Sequence, residues 1–408
     1  MPAPATAAAT ATATAAALET KEQQQGQQQQ QQECGLVRQQ QGLLRLASFS
    51  NNLPGAPSML AALSTGHLTH LHLLLQRSTA AEGVWLAAAL PQLTSLQQVH
   101  LGARYRTSGS WLAATSHLTR LTSRKVTEHL TAAIRPGQTV LPPQLQSLRV
   151  ANYVKGDVLA AVAPLQQLRL LHLRVDFLQQ LLLRLGKLPS LQHLSLEYCE
   201  VEHAAGTAAA WPLLPQLQAL DVWWDDGDAD LPDDMAVIWA GALACMGLTR
   251  LCLGAQNREY DSDSVAVCVG LARLTRLKEL TLHSCTSLVP GDAQALTALT
   301  ALTRLALNGV EGVEEADIAA LARSMPQLQH LELGGLDLSS VAFMAAVGTL
   351  TQLTELFLEN SDMTEQSLLQ LTGLVHLQVL HPPPYYGGVM KETVDRLWSA
   401  VWKQRQLL

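Results

Sequence analysis

The sequence predicts an α/β solenoid in which about 13 short repeats stack into one continuous body. Three observations predict this fold class. The unit L-x-x-L-x-L recurs 13 times from Leu68 onward, and its copies begin 25.5 residues apart on average. Apolar residues make up 48% of the chain but aromatic residues only 4%, so leucine must build the core. One repeat of this length cannot bury its own leucines, and neighbouring repeats must therefore cover them.

The leucines of each unit should point into the core, while the alternate residues point to the opposite face of a sheet. The third copy has Ser123 in place of its last leucine, so we expect its strand to be weak or missing. One step between copies is 31 residues long. The 13 copies begin at Leu68, Leu96, Leu118, Leu145, Leu168, Leu191, Leu217, Leu248, Leu277, Leu302, Leu328, Leu353 and Leu374.

With this many copies the chain resembles the leucine-rich-repeat superfamily over about residues 43–382. Cys199 and Cys285 lie three residues after the last leucine of their units, where this family places an Asn or Cys. The resemblance is to the Cys-containing or ribonuclease-inhibitor-like repeats. It implies a right-handed horseshoe with short parallel strands on the concave side and helices on the convex side. Other units depart from the pattern and have Gln256, Val310, Leu336 or Ser361 at this position.

The sequence divides into four segments. Residues 1–42 are rich in Ala, Thr and Gln, which predicts a disordered tail. Residues 43–66 are predicted to form an N-terminal cap, and residues 67–382 the repeat array. Residues 383–408 are predicted to form a C-terminal capping helix, with a partner-docking or membrane-surface helix as the alternative. The apolar residues at helical spacing there are Val394, Leu397, Trp398, Val401 and Trp402.

Helices are expected after several of the strands. Asp292, Glu315 and Thr364 each open an apolar stretch with helical periodicity, and Asp and Thr are favoured residues at a helix N-cap. These segments would form the convex side of the array.

Charge and cysteine content bear on location and partners. The net charge is −7, divided into +6 for residues 1–204 and −13 for residues 205–408, so the two ends should prefer different partners.

The six cysteines are scattered and contain no C-x-x-C pair, which favours an intracellular, cytoplasmic location. No apolar run is long enough to span a bilayer. A transit peptide in residues 1–18 stays open, because that segment lacks acidic residues.

Motifs for catalysis or cofactor binding are absent from the sequence: there is no P-loop, HExxH, GxSxG or GxGxxG. We expect no Ser/His/Asp arrangement from the repeat geometry, and therefore no enzyme and no cofactor. His70, His72 and His100 could meet on neighbouring strands, but no Asp, Glu or Cys ligand is evident nearby. No metal site is predicted.

An acidic insertion follows Trp223 and runs from Asp225 to Asp234. Its alternating aspartates resemble an EF-hand loop. However, Leu231 stands where that loop needs Gly, and Val237 where it needs Glu, so calcium binding is not expected. We interpret the insertion as a solvated loop, with a binding loop anchored by Trp223 as the alternative.

The concave face is the predicted site of function, which is that of a non-enzymatic scaffold for protein–protein interaction. Early arginines could hold phosphate, but aromatic residues for base stacking are missing and the chain is acidic, so an acidic protein partner is favoured over nucleic acid. Two alternatives stay open: a substrate-recognition subunit of a ubiquitin ligase, although no F-box is seen, and a structural component of the cytoskeleton or cilium axoneme. The candidate partner-binding residues are Arg120, Arg124, Arg149, Arg174, His172, His193, Asp221, Trp223, Glu332 and Phe357.

Overall fold

The computed structural model describes the repeat array with a few gaps and the segment that follows it. The described residues are 48–51, 66–75, 80–103, 115–127, 141–153, 161–175, 178–198, 203–224, 235–255, 268–283, 292–310, 312–359, 361–382 and 389–406. The tail predicted for residues 1–42, the acidic insertion, Cys199 and Cys285 lie outside them.

One parallel sheet of 14 strands runs through the molecule, and its strands follow one another in chain order. Thirteen of these strands belong to the 13 predicted units. The first lies in the segment predicted as the N-terminal cap and pairs with the second in parallel. The strands are β1 (Ser48–Asn51), β2 (His70–Leu75), β3 (Gln98–Ala103), β4 (Ser123–Thr127), β5 (Ser147–Tyr153), β6 (Leu170–Val175), β7 (His193–Tyr198), β8 (Ala219–Trp224), β9 (Arg250–Ala255), β10 (Glu279–His283), β11 (Arg304–Asn308), β12 (His330–Gly334), β14 (Glu355–Phe357) and β16 (Val379–His381); β13 (Asp337–Leu338) and β15 (Asp362–Met363) form a separate pair.

Helices and single helical turns connect the strands and form the convex side. The α-helices are α1 (Ala80–Ala89), α2 (Leu178–Leu185), α3 (Ala204–Ala210), α4 (Met235–Ala242), α5 (Cys268–Leu271), α6 (Glu315–Ser324), α7 (Val341–Gly348), α8 (Glu365–Leu368) and α9 (Val389–Arg405). Short 3₁₀ segments take this place at Leu90–Gln92, Thr115–His117, Trp211–Leu213, Asp292–Ala298 and Leu369–Gly373. This arrangement confirms the predicted α/β solenoid with concave strands and convex helices.

A leucine ladder between the sheet and the helices forms a single core. In β6, for example, Leu171 and Leu173 have no exposed surface, whereas the residues between them are partly exposed. Fully burying one leucine stabilises a protein by about 1.5–3 kcal/mol relative to leaving it exposed. Because every unit contributes to the same cluster, from Leu68 to Val401, the stability of each repeat depends on its neighbours.

The predicted register was wrong in two units, each by three residues. Gln98 of β3 pairs with Ser123, and Glu355 of β14 pairs with Val379. The first leucines of these units are therefore Leu121 and not Leu118, and Leu377 and not Leu374. The strand that was expected to be weak or missing in the third copy is present as β4.

The cause of the error is a further leucine three residues before most units, which makes the true pattern L-x-x-L-x-x-L-x-L. Where another residue replaces the last leucine of a unit, the pattern L-x-x-L fits equally well when it is placed three residues too early. Pairing between strands resolves the ambiguity, because the register aligns the buried positions of adjacent repeats.

Side chains at the turns and helix starts satisfy backbone groups. Ser361 is buried, and its hydroxyl donates to the carbonyl oxygen of Leu333 at 2.9 Å and accepts from the backbone N–H of Leu336 at 3.3 Å. Thr364 caps α8 by accepting from the backbone N–H of Ser367 at 3.1 Å. Buried backbone groups without such partners would destabilise the turns.

The last layer of the array is covered by α9. Leu397 and Val401 have no exposed surface, whereas Trp402 is 58% exposed. At the end of the helix, the Arg405 guanidinium donates to the backbone carbonyl oxygens of Val375 and Leu377. No helix among the described residues is both long enough and apolar enough to cross a bilayer.

Candidate functional site

The concave face consists of two rows of side chains, which the strand register places side by side. The leading row occupies the third position of each unit and the central row the fifth. The leading row is Ser48, His70, Gln98, Ser123, Ser147, Leu170, His193, Ala219, Arg250, Glu279, Arg304, His330, Glu355 and Val379; the central row is Ser50, His72, His100, Lys125, Arg149, His172, Ser195, Asp221, Cys252, Thr281, Ala306, Glu332, Phe357 and His381.

The first third of this face is basic and polar. His72 and His100 stack face to face, with ring centroids 4.2 Å apart, and Lys125 and Arg149 continue the central row. Burial, together with repulsion from His72 and Lys125, lowers the pKa of His100 to about 4. This ring is therefore neutral at pH 7. Among the described residues, no three His, Cys, Asp or Glu side chains are placed to share a metal ion.

Two of the predicted binding residues lie elsewhere, because the register of their unit was misassigned. Arg120 is exposed in the turn before β4 and is not on the strand. Arg124 occupies a core position between Val99 and Leu148, is 1% exposed, and donates from Nη1 to the hydroxyl of Thr115 at 2.9 Å. Burial lowers the pKa of Arg124 to about 9, so the guanidinium stays charged at pH 7. Neither residue belongs to the concave surface.

His172 and Arg174 of β6 lie on the concave face with their partners on β7. Nδ1 of His172 is 2.8 Å from the Ser195 hydroxyl, and Nε2 is 3.7 Å from Glu197. Glu197 also lies 3.9 Å from Nη1 of Arg174. Burial lowers the pKa of His172, which outweighs the opposing effect of Glu197.

These three groups bring a serine, a histidine and a carboxylate together, although the sequence predicted no Ser/His/Asp arrangement. The arrangement is ill suited to nucleophilic catalysis for two reasons. Ser195 is only 9% exposed, and the 3.7 Å separation between His172 and Glu197 exceeds a hydrogen bond. The surrounding backbone N–H groups belong to the pairing of β6, β7 and β8, so they do not form an oxyanion hole.

A carboxylate in the centre of the face joins three strands. Asp221 is 9% exposed, and its Oδ2 is 3.0 Å from Nε2 of His193. Its Oδ1 is 3.5 Å from Nε of Arg250, whose Nη1 lies 3.9 Å from Glu279. Arg250 therefore lies between two carboxylates, Asp221 of β8 and Glu279 of β10.

Trp223 lies beyond the central row, at the seventh position of its unit. Its ring lies against the backbone of Gly254, where a Cβ would approach within 2.6 Å, and it reaches His283 at 5.3 Å between ring centroids. Glycine on β9 thus lets the indole extend across one whole strand. The ring is partly exposed and fixed in position.

The last third of the face combines aromatic rings with charged pairs. Phe357 stacks on His381 at 4.5 Å and meets His330 at 5.0 Å. Nδ1 of His330 is 2.6 Å from Glu355, and Glu332 accepts from the amide of Asn308 at 2.7 Å. A concavity of about 350 Å³ lies next to this group, lined in part by Arg250 and Arg304.

All ten candidate residues were predicted to lie on the concave face; eight of them do, and several other residues of this face were missed. Lys125 and His381 were missed because their units were read three residues out of register. Because a leucine precedes most units by three residues, the sequence pattern alone matches both registers. Pairing between charges, such as Asp221 with Arg250, was missed because it depends on which side chains lie side by side on adjacent strands.

No model of a known protein family matches the chain, and no curated protein matches it. Solved structures do. The functional domain of InlJ from Listeria monocytogenes, which includes a cysteine ladder, is 16% identical over 83% of this chain, with a TM-score of 0.37. This chain spans 63% of the length of that structure. A leucine-rich-repeat protein from Leptospira interrogans is 18% identical over 86% of this chain and 99% of its own, with a TM-score of 0.34.

The strand order and the buried leucine ladder define the architecture independently of these matches. Each unit adds one strand to the same parallel sheet and one layer to the same core. The chain therefore has the α/β fold of a leucine-rich-repeat solenoid.

Proposed function

We propose that this chain is a non-enzymatic scaffold that binds other proteins on its concave face. The observation that carries the proposal is the placement of two partly exposed aromatic rings, Trp223 and Phe357, on a face whose other side chains are mostly polar. Binding energy at protein interfaces is concentrated in a few such residues, with Trp, Tyr and Arg the most frequent. Both rings are held by neighbours before any partner arrives.

The rigidity of these rings supports their role as anchors. Trp223 rests on the backbone of Gly254, and Phe357 is held between His330 and His381. A side chain that is already fixed loses little conformational entropy on binding, which favours affinity. The paired charges around them would supply a polar rim that orients the partner.

The experiment is a comparison of captured proteins between variants of the full chain. Trp223→Ala/Phe357→Ala removes both anchors from the concave face. Val84→Ala/Leu183→Ala is the matched control, because these exposed apolar residues lie on the convex helices α1 and α2. We expect the concave variant to lose its specific partners in quantitative mass spectrometry, while the convex variant retains them.

Retention of every partner by the concave variant, with loss in the convex variant, would overturn the proposal. The identities of the captured proteins then separate the two settings proposed from the sequence. Tubulin-associated or other filament proteins would point to the cytoskeleton or axoneme, and ligase subunits to substrate recognition.

We also assign the repeats to the Cys-containing or ribonuclease-inhibitor-like subclass. Ser361 supports this assignment, because it stands at the Asn/Cys position of its unit and bonds the backbone on both sides of the turn. Ser361→Cys should preserve the thermal stability better than Ser361→Val, which has no donor. Equal stability of the two variants would contradict this role of the position.

A further inference from the structure

The two cations at the centre of the basic third have no acidic partner among the residues that the structure describes. Lys125 and Arg149 are neighbours in the central row, on β4 and β5. Within the described residues neither forms an ion pair, whereas Arg174 and Arg250 both lie close to carboxylates. The positive charges of Lys125 and Arg149 are thus not neutralised by any described side chain, and an anionic ligand could bind to them.

Neutral hydrogen-bond donors surround these cations. A concavity of about 360 Å³ is lined by Lys125 and Arg149 together with Gln98, Ser123 and Ser147 of the leading row. None of the described residues that line it is acidic, and none is Phe, Tyr or Trp. Two cations beside two hydroxyls and an amide match an anion with several acceptor oxygens.

The histidines that line the same concavity can also donate. The Thr69 hydroxyl is 2.8 Å from Nδ1 of His70, and the Ser50 hydroxyl is 3.2 Å from Nδ1 of His72. A hydroxyl that donates to Nδ1 places the ring proton on Nε2. A ring with its proton on Nε2 can donate that N–H group to an anion.

We propose that the concavity over β2 to β5 binds a phosphorylated serine or threonine side chain of a protein partner, with Lys125 and Arg149 contacting the phosphoryl oxygens. Adjacent strands are about 4.8 Å apart, so cations on β4 and β5 can contact different oxygens of one phosphoryl group. This inference rests on the proposed function and names the chemistry that the basic end of the scaffold recognises.

A phosphoryl group fits the site better than a carboxylate or a nucleic acid. A phosphomonoester carries up to two negative charges and three terminal oxygens, which can use the hydroxyl and amide donors as well as the cations. A carboxylate has two oxygens and would leave donors unmatched. A long nucleic acid would continue along the face to Glu197 and Asp221, which repel it, and would find no Phe, Tyr or Trp within the concavity on which to stack a base.

The test measures binding of labelled short peptides to the full chain by fluorescence anisotropy. The probe is a pool with phosphoserine at a fixed central position among randomised residues, compared with pools that carry Ser or Glu there. We expect binding of the phosphoserine pool only, and a loss of about tenfold or more in Lys125→Ala/Arg149→Ala. The matched control is Arg273→Ala/Arg276→Ala, which removes two exposed turn arginines and changes the net charge equally.

The outcomes are distinct. Three results would overturn the proposal. The Glu pool could bind as tightly as the phosphoserine pool, or a short single-stranded RNA could bind more tightly. The third is an equal loss of binding in Lys125→Ala/Arg149→Ala and in Arg273→Ala/Arg276→Ala. Competition by inorganic phosphate at the concentration of the peptide would show that the site takes the free ion instead of a protein. Failure of the phosphoserine pool, while Trp223→Ala/Phe357→Ala still loses partners, would refute this inference and leave the scaffold function standing.

Discussion

The two ends of the concave face differ in whether their charged side chains are paired with opposite charges. Over β3 to β5 the central row presents Lys125 and Arg149 with no described carboxylate beside them. Over β7 to β12 almost every charge has a partner on an adjacent strand, as Asp221 has in His193 and Arg250. The same backbone geometry therefore carries one region whose described cations have no carboxylate beside them and one region whose charged side chains are paired across strands.

The difference separates two uses of a charged side chain. A charge paired across strands helps to hold neighbouring repeats in register, but its partner competes with any ligand. An unpaired charge at the surface contributes little to folding and keeps its capacity to bind. Changes in the paired region should therefore affect stability first, and changes in the unpaired region should affect binding first.

The largest expected effect concerns the leucine ladder beneath both regions. Leu280 of β10 packs between leucines of the adjacent strands, whereas Leu148 of β5 has Arg124 on one side. Leu280→Ala should lower the free energy of unfolding by about 2–5 kcal/mol, because it leaves a cavity. Leu148→Ala should cost less, since Leu148 has a leucine beside it on only one of the two adjacent strands. Urea denaturation of both variants checks this, and a greater cost for Leu148 would contradict it.

A smaller effect tests the comparison directly. Asp221→Ala removes a nearly buried carboxylate whose neighbours are His193 and Arg250, and should lower the free energy of unfolding by about 1–3 kcal/mol. Arg149→Ala, in the unpaired region, should change it by less than about 0.5 kcal/mol. Both are measured by urea denaturation, with Asp221→Asn as the control that keeps the size of the side chain. Similar costs at the two sites would remove the distinction between the regions.

Arg124 offers a third test, because it places a charge in the core of the unpaired region. Arg124→Leu would restore the leucine ladder between Val99 and Leu148, and should leave stability unchanged or raise it by about 1–4 kcal/mol. Arg124→Ala should be destabilising, since it leaves a cavity and removes the partner of Thr115. Thermal melting of the two variants gives the answer. Strong destabilisation by Leu would mean that the buried guanidinium is needed for the fold.

The sequence was sufficient for the architecture, and the reasons are physical. Leucines that recur about 25 residues apart can be buried only by stacking, so strand order and repeat number followed from the pattern. The register of two units did not, because Leu118 and Leu374 begin a match as good as those at Leu121 and Leu377. Only the pairing of neighbouring strands excludes the wrong choice.

The candidate site could be predicted in position but not in chemistry. That Trp223 and Arg149 lie on the concave face follows from counting along one strand. That Trp223 reaches His283, or that Arg149 has no described acidic partner, depends on how neighbouring repeats align and how side chains turn. An error of three residues in the register of one unit was enough to predict Arg124, which is buried, on the concave face in place of Lys125.

The smallest effect concerns pH at the basic end. Because burial and nearby positive charge lower the pKa of His100 to about 4, the unfolded chain takes up a proton near pH 6.5 while the folded chain does not. Folding stability should therefore fall as the pH drops from about 6.5 toward 4. His100→Gln should reduce the loss of melting temperature between pH 7 and pH 5, since both proteins share all other titrating groups. Lys125→Ala should reduce it less, because it removes only one of the neighbouring charges. An identical loss in wild type and His100→Gln would show that folding does not lower the pKa of His100.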